Sequence, residues 1–232
     1  MKIANSERGN AYHFTKIAKT RLLMQIILDP IAIQQYMAKK QIKIFSSLDI
    51  QRIFKVSRDT AEKFLARYIK RELIVKLRKG FYCFSTYMPS EFEIANKIYQ
   101  PSYISFDSAL SHYQMIPETI YSITSATSQA TREFKVNNLL YTYQKIKKVA
   151  YCGYRPQNIR GFTILIAEPE KALADYLYFI DLKKRSLGYE RLDLKKIKKE
   201  RLVKYVKLFK RPSMNQLVKK IYAEFRKPKR IY

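Results

Sequence analysis

At 232 residues, 47% of them apolar, the chain carries enough hydrophobic side chains for one large or two small packed domains, which excludes wholesale disorder. Its formal charge is +27, from 46 Lys and Arg against 19 Asp and Glu. A codon bias toward Lys, Ile and Tyr explains part of that total but not its distribution: 18 basic against 6 acidic residues in 1–88, 9 against 8 in 89–180, and 19 against 5 in 181–232. A near-neutral middle between two basic ends attracts polyanions. The two cysteines, Cys83 and Cys152, lie far apart, and with His13 and His112 they form no pair at ligand spacing. Buried thiols in a reducing compartment are expected, with no metal and no cofactor. The apolar run Leu22–Leu28 is too short, and follows too long a polar start, for a signal peptide. No stretch approaches the length of a membrane span, so a cytoplasmic protein without membrane contact is expected.

In chain order, residues 1–14 read as an arm, and Thr15–Leu28 as an amphipathic helix carrying Ile17, Leu22, Leu23, Ile26 and Ile27. Pro30 opens the next helix, through about Lys40. Ser47 caps a helix through Phe54, Lys55-Val56 makes a turn, and Ser57 caps a second helix with Asp59 in its first turn. Ala61, Phe64, Leu65, Tyr68 and Ile69 recur as one buried face, leaving Arg58, Thr60, Lys63, Arg67 and Lys70 on the others. Leu73–Leu77 and Phe81–Phe84 then read as a hairpin turned at Gly80.

Helix, turn, basic helix and basic-tipped hairpin describe a winged helix-turn-helix, which with the arm occupies residues 1–88 and points to duplex DNA. In that reading Arg58, Thr60 and Lys63 face the major groove and Arg67 lies nearer the backbone. Ser57 and the helix N-terminus hold a phosphate, and Lys76, Arg78 and Lys79 form the basic tip of the hairpin. The plain alternative is a solvated helix face.

Residues 89–232 read as a mixed α/β domain, giving an α+β chain. A helix runs from Glu91 to about Tyr99, and Ser105 caps another that begins at Phe106 and ends before Pro117. Strands follow at Ile120–Thr124, Glu133–Val136, Leu139–Tyr143, Val149–Tyr154 and Phe162–Ile166, a buried sheet covered by helices. From Ala167 a helix has Pro169 in its first turn and a stripe of Leu173, Tyr176, Leu177 and Ile180. Lys171 and Asp175 stand at i,i+4 on it, worth a few tenths of a kcal/mol if exposed. Two further amphipathic helices, from Leu194 and from Met214, carry Lys195, Lys196, Lys198, Lys199, Lys204, Lys207, Lys219 and Lys220. That surface is either solvated or a phosphate or partner contact. Ser105, Asp107, Ser108 and His112 are residue types that hydrolases use, but capping and apolar neighbours explain them, and no enzyme is expected.

Three blocks in this order, RDTAEKFLARYIKRELIVKLRKGFY, YISFDSALSHYQMIPETIYSITSATS and AEPEKALADYLY, resemble the AbiEi family, the antitoxins of type IV abortive-infection toxin–antitoxin systems. The resemblance spans most of residues 45–180, and the long basic C-terminal end departs from it. It implies a winged-helix domain that binds the operon's own promoter; occupancy by more than one copy at repeated half-sites is the expected mechanism for such a domain. The resemblance also implies a second domain that counters a nucleotidyltransferase-like toxin, and so an autorepressor and antitoxin in phage defence. The rival readings are a winged-helix regulator without a toxin partner and an RNA- or single-strand-binding accessory protein.

Overall fold

The computed structural model describes residues 28–117, 121–159, 161–185 and 192–225. The arm, and the helix expected before Leu28, lie outside the described residues. The chain divides into two compact units, Met1–Pro89 and Ser90–Tyr232. The architecture is α+β: an N-terminal helical region, a mixed α/β core and C-terminal helices.

In the first unit α1 spans Pro30–Lys39, with Pro30 in its first turn and the Asp29 carboxylate accepting from the Ala32 amide at 2.9 Å. Helix α2 spans Ser47–Phe54 and α3 spans Arg58–Lys70. The cap of α2 is Ser46, one residue before the expected Ser47. Only Ser46 has an acid three residues on, and Ser46 and Asp49 bond each other's amides reciprocally at 3.2 and 2.7 Å. Lys55 adopts a left-handed conformation that ends α2, and the Ser57 hydroxyl accepts the Thr60 amide to begin α3. Ile33, Met37, Ile50, Ala61, Phe64 and Leu65 fill the core between the three helices.

The chain then folds back as the hairpin β1 (Ile74–Arg78) and β2 (Phe81–Phe84), turned through Lys79 and Gly80, with Gly80 at φ +88°. Phe45, between α1 and α2, exchanges both backbone hydrogen bonds with Tyr82, at 2.9 and 2.8 Å, and packs its ring on Phe84. The hairpin is thereby stitched to the helical core.

The second unit opens with α4 (Glu91–Ile98), capped by a Ser90–Glu93 box, then β3 (Ser102–Ile104) and α5 (Phe106–His112). Strands β4 (Ser122–Thr127), β5 (Arg132–Val136), β6 (Leu139–Lys145), β7 (Tyr154–Ile159) and β8 (Phe162–Ala167) follow. Helices α6 (Pro169–Asp181), α7 (Lys199–Leu208) and α8 (Pro212–Phe225) complete it. The sheet runs β5-β6-β4-β3-β8-β7, parallel between β4 and β6 and between β3 and β8, antiparallel elsewhere.

Helix α4 covers one face, where the Tyr143 hydroxyl donates to the Ala95 carbonyl at 2.7 Å and the Asn96 amide brackets the Leu165 backbone. Strand alternation turns Tyr103 to the opposite face, against α6. Two expectations shift here. The strand read at Val149–Tyr154 is a 3₁₀ turn at Lys148–Ala150 followed by a loop through Gly153, and pairing begins only at Tyr154. Gly153 sits at φ +73°, and a Cβ there would stand 2.6 Å from the Tyr205 ring, so the backbone passes close under α7. Ser105 is the N-cap of α5 by position, but its hydroxyl is committed elsewhere, and Thr124 on β4 accepts the Ser108 amide instead.

Candidate nucleic-acid interface

The buried side of α3, Ala61, Phe64, Leu65 and Tyr68, fixes the rotation of the helix against the core. At about 100° per residue, Thr60, Lys63, Arg67 and Lys70 fall on one stripe of the remaining surface. Arg58 lies about 140° around the axis from Lys63, on the other flank beside Glu62. Among the predicted contacts, then, Thr60, Lys63 and Arg67 come together, and Arg58 stands apart at the first helical position.

Two of the cations have an i,i+4 partner: the Arg58 Nε donates to Glu62 and the Lys63 Nζ to Asp59, both at 2.7 Å and both well exposed. The hydrogen bond and charge of Glu62 raise the Arg58 pKa. Screened pairs of this kind are weak, and a phosphate or base edge replaces the carboxylate at little cost. The Ser57 hydroxyl is shared between the Thr60 amide at 3.2 Å and the Thr60 hydroxyl at 2.8 Å, so this cap is already engaged within the helix. On the hairpin Lys76 and Lys79 are exposed, while Arg78 is half-buried with its guanidinium 5.0 Å from the centre of the Phe81 ring. Arg71, just past α3, lies over the Tyr68 ring at 5.7 Å.

The second unit holds a feature the sequence reading missed. The Lys171–Asp175 pair, read from the sequence as i,i+4 partners without a depth, is fully buried. One Asp175 oxygen accepts from Lys171, and the other from the Ser105 hydroxyl at 2.8 Å and the Tyr103 hydroxyl at 3.0 Å. The Lys171 ammonium lies between the rings of Phe209 and Tyr103, at 5.0 and 5.8 Å from their centres. Burial pushes the Asp175 carboxyl up, against the opposing pull of Lys171, Ser105 and Tyr103; burial likewise raises the Tyr103 phenol. The cause of this burial is that α6 is apolar nearly all round: Ala172, Leu173, Ala174, Leu177 and Phe179 are all buried.

The other carboxylates of this region are engaged as well. Asp107 pairs with Arg185, Asp181 with Arg211, and Glu170 accepts the Lys198 amide at 3.1 Å. Glu168 pairs with Arg201 and accepts from the Tyr205 hydroxyl at 2.7 Å. Ser108 is bonded to Thr124, and the exposed His112 meets Phe92 and Tyr113 edge-on. Of the hydrolase-type residues Ser105 alone donates to a carboxylate, that of the buried Asp175, while His112, Ser108 and Ser111 line an open cleft of about 420 Å³ with Glu91, Phe92, Ile123 and Leu139. Burial lifts the Cys83 thiol to about 12, which leaves it unreactive. Among the described residues no three His, Cys, Asp or Glu side chains are placed to hold a metal ion, and no helix is long and apolar enough to cross a membrane. All eight lysines singled out in the sequence, Lys195, Lys196, Lys198, Lys199, Lys204, Lys207, Lys219 and Lys220, are exposed. Lys196 donates to the Tyr113 carbonyl and Lys199 lies over the Tyr222 ring.

Two stability measurements test this chemistry. Asp175→Ala leaves a buried ammonium without its carboxylate and costs about 3–5 kcal/mol in urea unfolding, whereas Lys171→Met with Asp175→Leu removes both charges and costs far less. Burial alone would raise the Glu168 carboxyl, but the hydrogen bonds from Tyr205 and Arg201 and the Arg201 and Arg155 charges hold it below its ordinary value. Its folded pKa lies below its unfolded one, so its contribution is complete above the unfolded value and is lost as pH falls through the folded one. Glu168→Gln is therefore less stable than the parent at pH 7, and the gap closes below about pH 4. No model of a protein family matches this chain, and no curated protein matches it.

Proposed function

We propose that the chain is a duplex-DNA-binding transcriptional regulator whose first unit is a winged helix-turn-helix. The observation that carries this reading is α3: a capped helix, seated by its apolar side, that turns Lys63 and Arg67 to solvent, with Thr60 half-buried at the edge of the same stripe. It runs into a hairpin with Lys76 and Lys79 exposed near its turn. An α-helix fits the major groove, where Lys and Arg bond guanine and a threonine methyl contacts thymine. The hairpin lysines supply backbone contacts that fix register without reading sequence. Arg58, on the other flank, serves the phosphates beside the helix N-terminus.

The further role, as autorepressor and antitoxin of a type IV system opposing a nucleotidyltransferase-like toxin, is supported by the three sequence blocks that resemble AbiEi proteins. The second and third of these blocks supply the buried cluster: Tyr103 and Ser105 come from YISF, and Lys171 and Asp175 from EKALAD. The shared letters are in this reading the letters that hold the second unit together.

Gel shifts with the upstream intergenic fragment against scrambled competitor test the DNA reading. Lys63→Ala with Arg67→Ala lowers the preference for the operator by about 10-fold or more. Lys76→Ala with Lys79→Ala weakens all duplexes alike and reduces the slope of log affinity on log salt by about 2. Equal binding of fragment and scrambled DNA by the parent chain refutes the assignment. For the antitoxin role, co-expression with a downstream nucleotidyltransferase gene restores growth that the toxin alone arrests, and unrelieved arrest removes that part.

A further inference from the structure

Helices α7 and α8 divide their cations by type. The arginines face inward to carboxylates, Arg201 to Glu168 and Arg211 to Asp181, and so dock the helices on the rest of the unit. The lysines face outward. Residues 192–225 hold eleven Lys and Arg against three Asp and Glu. The exposed surface of α8 carries Ser213, Asn215, Gln216, Lys219, Lys220 and Ala223, with the half-buried Glu224 as the helix's one acid; α7 turns Lys204 and Lys207 outward, with Glu200 as its one acid. The buried sides, Leu202 and Val206 on α7 and Met214, Val218 and Ile221 on α8, fix these orientations.

We infer that this surface is a second phosphate-binding site, which holds duplex DNA by charge without reading its sequence. The choice of DNA rests on the proposed function of the first unit, because a second contact on the same polyanion gains from the raised effective concentration. The chemistry of the surface selects a duplex backbone over single strands. Lysine is a compact, hydrated charge on a flexible stem, suited to phosphates and not to bidentate reading of bases. Single-strand binding needs rings on which bases stack. Neither helix exposes one: Phe209 is buried, Tyr205 is bonded to Glu168, and Tyr222 and Phe225 are half-buried.

The test uses the full chain carrying Lys204→Gln, Lys207→Gln, Lys219→Gln and Lys220→Gln, with circular dichroism confirming the fold. Fluorescence anisotropy on a labelled scrambled duplex, titrated over salt, gives a slope reduced by about 3–4 and affinity lowered roughly 10-fold or more at low salt. The ratio of operator to scrambled affinity is unchanged, since α3 sets it. An unchanged slope overturns the inference, even with operator preference intact. Conversely, loss of slope in this variant stands even if the Lys63 and Arg67 substitutions leave operator preference untouched, a result that counts against α3 alone. Tighter binding of a single strand or of duplex RNA than of duplex DNA also overturns it. So does loss of toxin rescue with the DNA slope preserved, which assigns the surface to a protein partner.

Discussion

Two hydrogen bonds between Phe45 and Tyr82 are the constraint on which the first unit depends. They join the segment between α1 and α2 to the hairpin that follows α3, so that sequence neighbours of three different elements become one strand-like seam. An isolated two-stranded hairpin is marginal in water. Pairing with Phe45, and the ring contacts of Phe45 with Phe84 and Tyr82, give it a third edge and an apolar backing. The rotation of α3 is set independently by Phe64 and Leu65 in the core. Helix and hairpin are therefore held by one core.

The second unit is governed by a different economy. Its core contains a fully buried ionisable pair, and the Tyr103 and Ser105 hydroxyls join Lys171 in donating to Asp175. The cost of desolvating such a pair is high, and what is retained in exchange is geometry. Tyr103 from β3, Ser105 from the start of α5, Lys171 and Asp175 from α6 and Phe209 from beyond α7 meet at one point. Three separate stretches of chain are thus registered by a single ion pair. The arginine pairs at Glu168, Asp181 and Asp107 repeat the device nearer the surface.

Local signals made much of this legible. The Ser57 cap, the 3.6-residue recurrence from Ala61 to Tyr68, the Gly80 turn and the Pro169 helix start are all decided by residues within a few positions of one another, and the structure contains each of them. What the local reading could not supply was depth. Lys171 and Asp175 have the spacing of a surface pair, and only the apolar neighbours on every side of α6 show that they lie inside. Strand β7, Tyr-Arg-Pro-Gln-Asn-Ile, has strand-forming residues only at its two ends, and as an edge it is held by its pairing with β8. On α3 the residue types were readable, and so was the separation of Arg58 from Lys63, which follows from their five-residue spacing on a helix.

The two rims of the six-stranded sheet carry a consequence for how the second unit meets other molecules. At one rim β5 exposes Arg132, Glu133 and Lys135; at the other, β7 exposes Arg155 and Pro156, the proline lacking a backbone donor. A partner that docks by lending a strand would have to line up against formal charges on one side and an interrupted ladder on the other. The sheet is closed to growth at both margins, which discourages fibrillar stacking and leaves helices and loops as the places where this unit makes acquaintances.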